Sequence, residues 1–123
     1  MKRIFLLLML CGTILSGCAS EVRLVSVDNI EFARHIESGN VQLIDVRTRQ
    51  EFAEGHIIGA RNIDSSAADF EEQISSLDKA KPVALYCRSG RRSKLAAERV
   101  LALGYDVIEL DKGILSWQGD LER

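Results

Sequence analysis

Proline occurs once in the 123 residues, at Pro82, so no proline-rich linker divides the chain. No long basic run is present and the net charge is -2, which disfavours a nucleic-acid backbone as partner. No internal repeat or low-complexity tract appears. Apolar residues make up 46% and charged residues 28%, an ordinary globular mixture that excludes collagen-like and disordered classes. The length suits one folded domain. Histidine is scarce too, at His35 and His56 only.

The one long apolar run lies at the start. Lys2 and Arg3 precede Ile4 to Leu10, with a weaker apolar extension to Leu15. This is short for a membrane span and reads as a secretory signal. It ends in Leu15-Ser16-Gly17-Cys18, which resembles a bacterial lipobox. That resemblance implies cleavage before Cys18, diacylglycerol on its thiol and acylation of the new amino terminus, a durable anchor. An ordinary signal peptide cut elsewhere, or an uncleaved anchor, is the alternative. The expected organisation is a lipoprotein signal over residues 1–17, a lipidated Cys18 and short tether over 18–23, and one domain over 24–123. The location that follows is the bacterial cell envelope, facing the periplasm. Ala19 rather than Asp after Cys18 favours the outer membrane over the inner.

Processing makes cysteine rarer still. Loss of Lys2 and Arg3 moves the net charge from -2 to -4. Cys11 leaves with the signal and lipid consumes Cys18. Cys87 then remains alone, so no internal disulfide is expected. A single thiol in an oxidising compartment is vulnerable, which argues for use. A buried, inert thiol is the bland alternative.

Leu24 to Val27 reads as a strand. Asp28 is a helix N-cap with Glu31 as its capping-box partner, Ile30, Ala33 and Ile36 fall at helical spacing, and Gly39 closes the helix. Val41 to Val46 is a buried strand, followed by a helical turn over Gln50 to Glu54. Arg61 to Ile63 is a brief strand. Ala67, Phe70, Ile74 and Leu77 mark a second amphipathic helix. Pro82 to Tyr86 is a buried strand with proline at its start. Ser93 to Leu103 is a helix with Leu95, Ala96, Val100 and Leu103 inward. Asp106 to Leu110 is the last strand, and Ile114 to Trp117 a closing turn. Alternating strands and helices predict an α/β fold with a mostly parallel sheet covered on both faces. Ligands in such folds sit beyond the carboxyl ends of the strands, where Cys87 falls.

The loop Cys87-Arg88-Ser89-Gly90-Arg91-Arg92-Ser93 joins a strand to a helix. Its successive amides can form an anion nest, and the helix adds its positive end. Arg88, Arg91 and Arg92 add three permanent charges, and Gly90 tolerates a backbone other residues resist. A thiol of ordinary pKa ~8.5 is only a few per cent ionised at neutrality; at ~6 it is roughly nine-tenths ionised. The loop therefore reads as a thiolate nucleophile with a built-in anion pocket. A basic surface turn with a structural cysteine is the alternative.

The sequence here resembles the rhodanese family. Leu43-Ile44-Asp45-Val46-Arg47, Glu51-Phe52, Gly55-His56-Ile57, Gly59-Ala60 and Asn62-Ile63 resemble its amino-terminal motif. Tyr86 to Ser93 resembles its active-site loop. Leu103-Gly104-Tyr105 and Gly113-Ile114-Leu115-Ser116-Trp117 resemble its closing motifs. The resemblance covers about residues 24–120. It implies a five-stranded rhodanese-like sheet and transfer of sulfane sulfur. Cys87 would take sulfur from a small anionic donor such as thiosulfate, release sulfite and hold a persulfide. The amides of Arg88 to Arg92 would cradle it, and a thiol or cyanide would accept it. The expected anion-binding residues are Arg88, Ser89, Gly90, Arg91, Arg92 and Arg47; no metal or organic cofactor is implied. Phosphatase-like relatives use Cys-x5-Arg, but the sixth residue after Cys87 is Ser93, which favours sulfur over phosphate. One departure is Lys112-Gly113 where the family often has Gly-Gly.

Other polar residues have plainer readings. Asp45 and Arg47 are read as an ion pair that orders the loop, with anion binding by Arg47 as the alternative. His56 is read as structural, since a preformed thiolate needs no base. His35 is read as solvated or capping, Trp117 as core or lid, and Glu71-Glu72 as a solvated face. A non-catalytic interaction or sulfur-carrier module of the same fold is the competing function, and phosphatase or arsenate-reductase chemistry a third.

Overall fold

The computed structural model describes residues 23–123. The signal, Cys18 and most of the tether lie outside the described residues. The elements run β1 (Leu24–Val27), α1 (Asn29–Glu37), β2 (Gln42–Asp45), α2 (Arg49–Glu54), β3 (His56–Ile57), β4 (Arg61–Asn62), α3 (Phe70–Ser75), β5 (Val83–Tyr86), α4 (Arg91–Ala102), β6 (Val107–Leu110) and β7 (Leu121–Glu122). A single 3-10 turn, Ile114–Ser116, lies between β6 and β7.

Five strands form one parallel sheet in the order β1-β6-β5-β2-β4. Alternation along each strand divides the apolar residues between two faces. Ile44, Val83, Leu85 and Val107 meet Phe70 and Ile74 of α3 and Ala96, Ala97 and Val100 of α4. Leu43, Ala84, Tyr86, Ile108 and Leu110 meet Phe32 of α1, with Ile57 and Trp117 beside them. The five strands are as the resemblance implies, and the two covered faces are as the strand and helix alternation predicts. Pro82 precedes β5, and its carbonyl accepts the Gln42 N–H at 2.9 Å.

Several local expectations are corrected. Helix α4 starts at Arg91, two residues earlier than expected, and its buried stripe is Ser93, Ala96, Ala97 and Val100. Leu95 points away at 64% exposure, because small residues let the helix approach the sheet. In α1 the buried anchor is Phe32, and Ile30 is 59% exposed. Asp28 caps α1 by accepting the Glu31 N–H at 2.9 Å, but the Glu31 carboxylate turns to Arg34 at 3.0 Å instead of closing a box. The complete capping box lies at Thr48 and Glu51, at the start of α2. The α3 helix is shorter than its apolar pattern, with Ala67 in the turn before it. The antiparallel pair β3–β7 was not expected and ties the carboxyl end of the chain to His56 and Ile57.

Arg47 sits just past β2 at 6% exposure. Its Nε donates to Asp45 Oδ1 at 3.0 Å and its Nη2 to Asp45 Oδ2 at 2.7 Å. Nη2 also donates to the Gly55 carbonyl at 2.7 Å, so one side chain joins the end of β2 to the end of α2. Removing one partner of such a buried pair strands a charge. Arg47→Ala is expected to lose ~3–5 kcal/mol of unfolding free energy in urea. A loss under ~1 kcal/mol would show that the pair behaves as a surface contact.

Candidate active site

Strand β5 carries Tyr86 into the sheet and ends there, so Cys87 starts the turn at its carboxyl end. Gly90 makes that turn possible. Its φ is 97°, and a Cβ there would lie 1.9 Å from the Asp111 carbonyl oxygen. The chain then enters α4 at once, which aims the first amides of the helix back at the sulfur. The Gly90 N–H donates to Cys87 Sγ at 3.1 Å. Ser93, one turn into α4, places its hydroxyl 3.4 Å from Sγ.

Burial alone pushes the Cys87 thiol up. The Ser93 hydroxyl and the main-chain amides of Ser93, Gly90 and Ser89 outweigh it and hold the thiol below its ordinary range. The physical cause is hydrogen bonding to the charged form. The cysteine itself is 1% exposed, at the floor of its loop and against the α4-side core. At that depth the loop lies between the sulfur and solvent.

The three arginines do not act alike. Arg92 is partly exposed and forms a bidentate pair with Glu51 of α2, at 2.7 and 2.9 Å. Arg88 and Arg91 are exposed, as is Ser89. Arg88 lines a cleft of about 340 Å³ with Arg47, Glu51, Glu54, Gly55, Ile114, Leu115 and Leu121. Arg47 thus lines that cleft while bound to Asp45. The closing turn folds directly over the cysteine loop. Ile114 N–H donates to the Cys87 carbonyl at 2.9 Å and Leu115 N–H to the Arg88 carbonyl at 3.2 Å. Gly113 permits this approach: its φ is 64°, and a Cβ would fall 2.3 Å from the Arg88 carbonyl oxygen. The departure at Lys112 is harmless here, because Lys112 is exposed and Gly113 makes the close contact.

The remaining candidates stand apart from the sulfur. His56 stacks on Phe52 at 3.6 Å between centroids, its Nδ1–H donates to the Phe52 carbonyl at 2.8 Å, and Nε2 lies 3.3 Å from Glu122. Trp117 packs edge-on against Phe32 and lines a separate groove beside α1. Beneath the loop lies a residue the sequence reading passed over. Glu109, in the middle of β6, is wholly buried and accepts the Ser93 hydroxyl proton at 2.7 Å. A lone acid within Val107-Ile108-Glu109-Leu110 was the available signal.

The Rhodanese-like domain profile matches residues 28–120. The chain belongs to the rhodanese-like domain family. It is 39% identical over 90 residues to the thiosulfate sulfurtransferase GlpE of Pseudomonas aeruginosa, covering 72% of this chain and 79% of that protein. A putative sulfurtransferase of Bacillus subtilis, YtwF, is 36% identical over 78 residues, 63% of this chain and 74% of that one. A rhodanese-like domain protein from Staphylococcus aureus superposes with a TM-score of 0.68 at 30% identity, covering 82% of this chain and 97% of that structure. This rhodanese-like domain therefore falls in a sulfurtransferase family.

The Arg92 fork holds the Glu51 carboxyl down at about 2, with burial opposing and Thr48 assisting. A carboxyl depressed on folding stabilises the fold above its unfolded value, and that contribution fades as pH falls through about 2. Both side chains are partly exposed, so solvent limits the pair to below about 1 kcal/mol. Unfolding free energy should drop on acidification through this window, and Glu51→Gln should flatten that part of the profile. An unchanged profile would mean the pair is not formed in solution.

Proposed function

We propose that the chain transfers sulfane sulfur through a Cys87 persulfide, from thiosulfate or a persulfide donor to a nucleophilic acceptor. The observation that carries this reading is the Gly90 N–H directed at Cys87 Sγ at 3.1 Å, at the head of α4. Amides so placed favour the thiolate and, after reaction, the charged outer sulfur. The thiolate attacks the outer sulfur of thiosulfate, the S–S bond breaks, and sulfite departs with its electron pair. The acceptor, a thiolate or cyanide, then attacks the outer sulfur of the persulfide. The Cys87–sulfur bond breaks and the Cys87 thiolate returns. Arg88 and Arg91 supply positive charge at the mouth, where a dianionic donor arrives. The thiosulfate sulfurtransferase relative supports the donor class.

Protein treated with thiosulfate is expected to gain the mass of one sulfur on Cys87, reversed by cyanide. Cys87→Ser protein that still transfers sulfur, or wild type that gains none in donor excess, would refute the transfer reading. The second outcome favours a non-catalytic module of the same fold, for which the 1% exposure of Cys87 is the supporting observation.

We also propose that Cys18 carries lipid and holds the domain at the periplasmic face of the cell envelope. The lipobox-like Leu15-Ser16-Gly17-Cys18 supports this, and the start of β1 at Leu24 leaves a short tether. Membrane-fraction protein should begin at an acylated Cys18, and Cys18→Ser should abolish acylation. A mature terminus elsewhere would overturn the anchor.

A further inference from the structure

Ser93 has one hydroxyl proton and two neighbours that want it. On one side is Cys87 Sγ at 3.4 Å; on the other is Glu109 Oε2 at 2.7 Å. The shorter contact is to a carboxylate, the stronger acceptor. Glu109 is satisfied elsewhere as well: Oε1 accepts from the Ser26 hydroxyl of β1 at 2.8 Å and pairs with Lys94 Nζ of α4 at 3.1 Å. A wholly buried carboxylate with three donors is a costly feature, and packing alone does not call for it.

We propose that Glu109 is a positioning residue that sets the acidity of Cys87 by competing with it for the Ser93 proton. While Cys87 is a thiol, its S–H donates to Ser93 Oγ and Ser93 donates to Glu109. When the thiol proton is lost to water, an accepting Ser93 oxygen would face a sulfur anion. The hydroxyl must then turn toward sulfur and release Glu109, which keeps Ser26 and Lys94. Glu109 thus opposes full use of the Ser93 hydrogen bond and limits how far the loop lowers the thiol. A thiolate that is too stable is a poorer nucleophile, so such a brake keeps the sulfur reactive. In the persulfide the inner sulfur carries little charge, and Ser93 returns to Glu109. The carboxylate therefore also favours the sulfur-loaded form over the free thiolate. This inference rests on Cys87 as the nucleophile.

The charged neighbours do not confuse the titration. Arg92 and Lys94 of α4 are held above their ordinary values, while Asp111 at the end of β6 and Glu51 of α2 are held below theirs. None changes charge where the thiol ionises.

The test is the pH dependence of Cys87 alkylation by iodoacetamide, which needs no sulfur donor. In Glu109→Gln the amide donates to Ser93 Oγ and frees its proton, so the midpoint should fall by about one unit, roughly tenfold in the acid constant. Loss of the Glu109 charge also acts through space, so the same change is made in Ser93→Ala. There its effect should shrink to under about a third, and Ser93→Thr should restore it. An unchanged midpoint in Glu109→Gln, or an equal shift in both backgrounds, overturns the proposal. Should Glu109→Gln not fold, the wild-type protein decides. The Glu109 carboxyl carbon resonance should move in the same pH step as Cys87 ionisation, and its standing still overturns the coupling. Protein that titrates as stated yet forms no persulfide refutes the transfer reading and leaves the coupling intact.

Discussion

The cysteine loop is held closed by two backbones that come nearer than side chains allow. Gly90 lies against the Asp111 carbonyl, and Gly113 lies against the carbonyls of Cys87 and Arg88. Each glycine is in the left-handed region, and neither can carry a Cβ. Their contacts join the turn after β5 to the turn after β6, neighbouring strands of the sheet. That junction fixes where α4 begins, and so where its first amides point. The Gly90 hydrogen bond to sulfur and the place of Ser93 both follow. Without the junction the loop would be a basic turn with a cysteine in it.

The surrounding ion pairs serve this geometry more than they serve the substrate. Asp45 and Arg47 tie the end of β2 to Gly55, which fixes α2 between them. Glu51 on α2 then takes the Arg92 guanidinium. A chain of contacts thus runs from the neighbouring strand to the first turn of α4. Two arginines at the site are thereby engaged by carboxylates, while Arg88 and Arg91 stay exposed.

The large features were legible because they repeat. Strand and helix alternation, the run from Pro82 to Tyr86 and the clustered charges of the loop each leave a pattern in the chain. What escaped depends on contacts between distant segments. The 3.6-residue period identified α4 but not which stripe faces the sheet. Leu95 looked inward by hydropathy, yet close packing chose Ser93, Ala96 and Ala97 instead. Ile30 misled in the same way beside Phe32. The Thr48–Glu51 box was overlooked because it opens a helix too short to show a period. Glu109 was hidden differently. Its burial depends on Ser26, Ser93 and Lys94, three residues on two other elements, and no local rule joins them.

The depth of Cys87 bears on its chemistry in two opposing ways. Burial disfavours an ion, so every amide and hydroxyl around the sulfur first has to offset that cost. The same burial strengthens each of those bonds once formed, because little water competes for the sulfur. A persulfide is also a reactive group, and a sulfur lying under its own loop meets fewer oxidants than one on the surface. The price is access. An added sulfur extends about 2 Å past Sγ, toward amides that now serve the thiolate. In the proposed transfer the loop would exchange the contacts of one anion for those of a longer one without opening β5. Closure by Gly90 and Gly113 permits this, since it clamps the carbonyl side of the loop and leaves the amide side facing the sulfur.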